Sequence, residues 1–216
     1  MALSGDSHPA CAAVDFPGRY GKISAMSSKA LIWWRGEAQK AMNNMLGVHK
    51  VVGGNGPGRR YATAQVNNAY AVLVSSQFQK YCRDLHSQAA DHIAKQTPSN
   101  IQAVILARFT EGRKLDSGNP NPGNLGSDFG RFGLRLWEEL GGRNSWNERR
   151  KKALERLMLW RNAIGHHDFS SGKCGNRTSV LLKEVRDWRR TCNHLATELD
   201  TVVGSHLELL TGVKPW

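Results

Sequence analysis

In Thr63-Ala64-Gln65-Val66-Asn67-Asn68-Ala69-Tyr70-Ala71-Val72-Leu73-Val74-Ser75-Ser76-Gln77-Phe78-Gln79-Lys80-Tyr81-Cys82-Arg83-Asp84-Leu85, apolar side chains return every three or four residues. Val66, Tyr70, Leu73, Val74, Phe78, Tyr81 and Leu85 therefore fall on one face of a helix. The pattern predicts a long helix over 63–95. Thr97-Pro98-Ser99 closes it, because proline disfavours helix in the residue before it.

The same spacing appears on both sides. Upstream, Leu31, Trp34, Ala38, Met42 and Met45 predict a helix over 24–46. Downstream, 100–109 reads as a short helix, 117–127 as an irregular Gly/Asn/Pro loop, and 128–140 as a helix stopped by Gly141-Gly142. Ser145 with Glu148 has the capping-box spacing, opening a helix through Leu154, Leu157, Met158 and Ile164 that Gly165 ends. After a polar loop over 166–177, Thr178 is expected to cap a last helix carrying Val180, Leu181, Val185, Trp188, Cys192, Leu195, Leu199 and Val202. No alternating strand and no repeat is visible. The expected fold is all-α, an up-and-down bundle of four to six helices with long Gly/Asn/Pro-rich loops. Residues 1–22 read as a flexible N-terminal arm and 23–216 as a single helical domain.

The chain has 216 residues, with 30 Lys and Arg against 18 Asp and Glu, a net charge of +12. That surplus favours a polyanionic partner, nucleic acid first. It is uneven: residues 1–60 carry 8 basic against 3 acidic, 108–161 carry 12 against 7, and 178–216 balance at 5 against 5. Its densest point is Arg149-Arg150-Lys151-Lys152, which reads either as an RNA-phosphate contact or as a solvated helix face. No apolar run approaches the roughly 18 residues of a membrane span, and residues 1–18 lack the pattern of a secretory signal, so a cytoplasmic protein with no membrane partner is expected. Gly53-Gly54-Asn55-Gly56-Pro57-Gly58 lacks the Lys-Ser/Thr of a phosphate-binding loop and reads as a linker. Cys11, Cys82, Cys174 and Cys192 form no CxxC. His166, His167, Cys174, Cys192 and His194 invite a zinc reading, but Cys192-Asn193-His194 is short for a structural site, and Cys82 and Cys192 read as buried small apolar residues. No metal and no cofactor is expected.

Arg161-Asn162-Ala163-Ile164-Gly165-His166 brings together a fixed cation, a polar amide and a side chain that exchanges protons near neutral pH. Five residues separate Arg161 and His166 by about 140° on a continuous helix, so convergence requires the helix to end between them, at Gly165.

The run Arg161 to His166 resembles the Arg-x4-6-His signature of the HEPN superfamily, in which a polar residue commonly follows the Arg. Val66 to Leu73, Phe78 and Arg83-Asp84-Leu85 resemble the long second helix of its RiboL-PSP-HEPN group. Leu115 to Pro122 with Asp128-Phe129-Gly130-Arg131 resembles the loop and helix before the signature, and 178–207 resembles the closing helix. The resemblance covers about residues 28–207 in the same order. It implies an endoribonuclease that cuts single-stranded or looped RNA without a metal and leaves 2′,3′-cyclic phosphate ends. It also implies a homodimer with two signature helices at one cleft, and a role in toxin–antitoxin, phage-defence or RNA-stress systems, where an antitoxin or regulatory protein is a further partner. Carried over, His166 is acid or base, Arg161 holds the phosphate and Asn162 orients one of them. His167 is the alternative imidazole, and Asp168 a carboxylate to orient either. Gln79 departs from the pattern, since the group often has an acidic residue there, for which Asp84 is the nearest substitute. Asp168 replaces the Tyr of the nucleotidyltransferase-paired toxins. The alternative is a non-catalytic RNA- or protein-binding module.

Overall fold

A computed structural model describes residues 27–53, 61–169, 174–175 and 177–216. The arm, most of the glycine-rich linker and part of the 166–177 loop lie outside the described residues. Among the described residues every regular element is helical.

The first helix, α1 (Lys29–Trp33), is opened by Ser28, whose hydroxyl accepts from the Leu31 N–H. A π-helical turn, Trp34–Ala38, joins it to α2 (Gln39–Gly53). Leu31, Trp34, Ala38 and Met42 are buried, as their spacing predicts. The central helix is α3 (Tyr61–Lys95), which packs against α1, α2, α9 (Leu182–Thr211) and α8 (Trp146–His166). Tyr70, Val74, Phe78, Tyr81 and Leu85 are its buried face. Trp34 meets Phe78 edge-on at 5.7 Å and Tyr81 at 5.8 Å. The Tyr81 hydroxyl donates to the Ala196 carbonyl at 2.7 Å, so the aromatic cluster leaves no buried hydroxyl unpaired.

Pairings fix the topology. Asn68 bonds Val180, Tyr81 bonds Ala196 and His92 bonds Thr211, so α3 and α9 run parallel. Arg143 before α8 bonds Glu198, while Arg177 lies over Trp160 near the other end, so α8 runs against α9. With α2 running against α3, helices α2, α3, α8 and α9 alternate in direction and make the expected up-and-down bundle. A latch closes α1 onto α9: the Ser28 hydroxyl and N–H both donate to the Asp200 carboxylate, and the Trp216 indole joins them. Burial raises the Asp200 carboxyl above its ordinary value, against the pull of the Ser28 bonds.

Between α3 and α8 the chain makes α4 (Gln102–Thr110), α5 (Lys114–Ser117), α6 (Pro122–Gly130) and α7 (Leu136–Arg143). This region corrects the expected boundaries, and with it the count of four to six helices. Residues 117–127 are not all loop: Asn121 caps α6 through the Asn124 N–H, and Pro122 takes the first helical position, where its missing N–H costs nothing. Residues 128–140 are not one helix, because Gly133 adopts φ +78° and turns the chain. Gly141 and Gly142 do not stop α7, which runs on to Arg143. Ser145 makes no side-chain cap on α8; the Asn144 carboxamide accepts from the Trp146 N–H instead. The last helix begins after Leu181, not at Thr178, with the Glu184 carboxylate accepting from the Leu181 N–H.

Cys82 and Cys192 are fully buried among apolar side chains, and burial pushes both thiols up. No three His, Cys, Asp or Glu side chains gather to hold a metal among the described residues, and none of those helices is long and apolar enough to cross a membrane.

Candidate functional site

The C-terminal half of α8 carries Arg161, Asn162 and His166. Leu154 and Leu157 are buried, and Arg161 follows them on the inward side of the helix, half-buried. Asn162 and His166 stand four residues apart on the exposed side, one turn above each other. Gly165 does not end the helix. It is helical and exposed, and a Cβ built on it would meet nothing within 4 Å. The helix continues through His166 and is capped by His167, in the left-handed conformation at φ 53° and ψ 32°. The His167 N–H donates to the Ile164 carbonyl, and the Asp168 N–H to the Ala163 carbonyl at 2.9 Å. Because no break intervenes, Arg161 and His166 of one chain diverge by about 140°. The expected convergence within a single chain is thereby corrected.

Arg161 and Asn162 belong to a relay that starts on α3. The Gln79 amide donates to the Leu115 carbonyl at 2.9 Å and the Gly118 carbonyl at 2.8 Å. At Gly118 a Cβ would come within 2.8 Å of the Asn124 amide nitrogen and 3.0 Å of the Lys114 carbonyl, so a side chain there would displace Asn124 from its bond to the Asn119 carbonyl. Held there, Asn119 donates to the Asn162 side-chain oxygen at 2.5 Å, which also accepts from the Arg161 guanidinium at 3.2 Å. The departure at position 79 acquires a physical reason. Its partners are carbonyl oxygens, and a carboxylate offers them no proton. Gln79 positions the loop that positions Asn162.

The supporting candidates are placed separately. Asp84 pairs with Lys80 at 2.5 Å, and the Lys80 ammonium lies 4.5 Å over Trp33. The His167 ring packs edge-on to Phe169 at 5.6 Å, and Phe169 lies against buried Trp160. Arg177 sits 5.2 Å over Trp160 and makes a two-pronged pair with Glu184, whose carboxyl that pairing lowers. These contacts hold Phe169 and Arg177 against Trp160 and α9.

The basic run opens the same helix. Arg149 stacks 4.5 Å over the Trp146 ring, Arg150 donates to Asn147, and Lys151 lies 5.4 Å over Trp137. Lys152 is exposed. The run is thus part clamp on α7 and part open cation.

Sequence reasoning missed a second polar cluster. His86 is fully buried against Phe129 and Phe132; its Nε2 donates to the Asp128 carbonyl at 3.0 Å and its Nδ1 accepts from Arg113 at 3.4 Å. Burial pulls the imidazole down to about 4. The Asp128 carboxylate, itself buried, accepts the Lys114 and Leu115 N–H groups at the start of α5. No spacing signals such a cluster, because three of these four polar partners are backbone groups.

Two surface grooves, of about 190 Å³ at Trp34, Arg35, Gln39, Asn193 and Thr197 and about 550 Å³ at Arg108, Phe109, Glu111, Gly112 and Arg131, involve none of the α8 site residues. Asn162 and His166 are themselves exposed. Comparison with family models, with curated proteins and with solved structures finds no match for the chain.

Proposed function

We propose that this chain is a metal-independent endoribonuclease of HEPN type, cutting single-stranded or looped RNA across a composite site made by two copies. The observation that carries the reading is the end of α8: exposed His166 one turn above exposed Asn162, beside an Arg161 held to Asn162. Since Arg161 and His166 of one copy diverge, each needs its complement from a second α8. Across such a pair, one His166 takes the proton of a ribose 2′-hydroxyl as that oxygen attacks the adjacent phosphorus. The departing 5′-oxygen takes a proton from water, leaving a 2′,3′-cyclic phosphate, so one His166 and the Arg161 of the other copy suffice at each site. Arg161 carries the charge that develops on the phosphate oxygens. The +12 surplus supports a polyanionic substrate. An RNase of this kind fits toxin–antitoxin, phage-defence or RNA-stress settings, in which an antitoxin or regulatory protein restrains it.

Mixing inactive variants tests the composite site. Arg161→Ala and His166→Ala are each expected to be inactive on labelled single-stranded RNA, and their mixture to regain activity through dimers that pair one intact Arg with one intact His. A mixture as inactive as its components, from variants that still associate, overturns the shared site.

The divergence on one helix also favours a second reading, a module that binds RNA without cutting it. It predicts intact RNA, binding weakened by Arg149→Glu, and no effect of His166→Ala.

A further inference from the structure

We propose that Trp146 and Arg149 form a stacking platform for an unpaired nucleobase, the outer end of a single-stranded RNA track along α8. Trp146 opens the helix and is 58% exposed, although an indole of this size is ordinarily sheltered. Arg149 covers one of its faces at 4.5 Å. With more than half the residue accessible, the opposite face is open to solvent. A guanidinium on one side and an open indole face on the other is the arrangement that takes a base: the ring supplies the stacking surface and the cation meets the phosphate beside it.

Arg149, Lys152 and Arg156 follow at steps of three and four, all exposed, so they line one side of α8, while Glu148 and Glu155 lie on the adjacent side that carries Asn162 and His166. Twenty residues separate Trp146 from His166, about 30 Å of helix and about 160° of rotation, so a strand joining them winds partway around α8. The inference rests on the RNA reading above, but requires only binding and no catalysis.

The test measures binding of a fluorescein-labelled 16-nucleotide single-stranded RNA, and of a duplex of the same length, by fluorescence anisotropy. Trp146→Ala is expected to weaken the single strand about tenfold, within the range one stacked base is worth, and to leave the duplex unchanged, since its bases are already stacked. Trp146→Phe is expected to restore most of the loss. Arg149→Gln is expected to weaken both RNAs and to lower the salt dependence, as loss of a phosphate contact does. Single-strand affinity unchanged in Trp146→Ala, equal losses for both RNAs, or no binding of single-stranded RNA by the wild type would each overturn the platform. Tight, Trp146-dependent binding with the RNA left uncut by wild type supports the platform and counts against the nuclease.

Discussion

His86 lies fully buried with both ring nitrogens committed, one to the Asp128 carbonyl and one to Arg113. By contrast, His166 stands exposed on the last helical residue of α8, beside an Asn162 whose side-chain oxygen is shared by Arg161 and Asn119. The first cluster is saturated. Its protons are fixed by geometry, and its imidazole is held neutral, so it cannot exchange protons with a substrate. The second keeps its imidazole in solvent and its amide steered by a loop. Buried polar groups must be satisfied to be tolerated, and a satisfied group has no valence left for a ligand. Histidine in the interior here is structure, and histidine at the helix end is available for chemistry.

The comparison breaks most readily at Asp128. Removing its carboxylate in Asp128→Ala leaves the Lys114 and Leu115 N–H groups unpaired, at a cost of about 3–5 kcal/mol. Urea unfolding measures it, and a loss under about 1 kcal/mol would mean the cluster is not structural.

Acid acts on the same cluster. The His86 imidazole titrates near 4 in the fold against an ordinary 6.5. The unfolded chain therefore binds a proton that the folded chain refuses as pH falls through 6.5. His86 contributes its stability above that value and loses it progressively down to about pH 4, a span of up to about 3 kcal/mol. Stability measured at pH 7.5 and 4.5 is expected to fall more steeply in wild type than in His86→Gln. Parallel curves would contradict the assignment.

Gln79 links the two regions. Gln79→Glu sets a carboxylate against the Leu115 and Gly118 carbonyls and is expected to cost about 2 kcal/mol. It also frees Asn119 from its post beside Asn162, so RNA cleavage is expected to drop about tenfold at temperatures where the protein stays folded. A more active Gln79→Glu would instead show that a carboxylate belongs at this position.

The smallest effect discriminates most finely. Gly165 is helical with open space around it, so Gly165→Ala is expected to stabilise the protein by about 0.5–1 kcal/mol. A site shared between two copies keeps its activity in this variant. A site that assembles by unwinding the last turn of α8 loses activity as the helix stiffens.

The helical stripes were legible in the sequence because each buries one face against the bundle: Leu31 to Met42, then Tyr70, Val74, Phe78, Tyr81 and Leu85, and Val185 to Val202 are buried where their spacing predicts, while Leu181 at the head of the last stripe is exposed. Boundaries failed where composition and position disagree. Pro122 and its glycines resemble a loop until Asn121 is seen to cap them, and Gly133 turns a chain whose apolar content continues through it. Arg161, Asn162 and His166 were legible as residue types at a spacing. Their disposition was not, since it depends on whether the helix bends at Gly165. The Gln79 relay was invisible because Gln79 reaches carbonyls 36 and 39 residues away, and Asn119 reaches an amide 43 residues away.

Cleavage of an end-labelled, mostly single-stranded RNA in EDTA by wild type and His166→Ala, with the thermal midpoint of each recorded, is the most direct test. Wild type is expected to cleave and leave cyclic-phosphate ends; His166 is exposed, so its replacement is expected to leave the midpoint unchanged while abolishing both. Equal cleavage by both proteins, or none by either while both bind the RNA, would contradict the account.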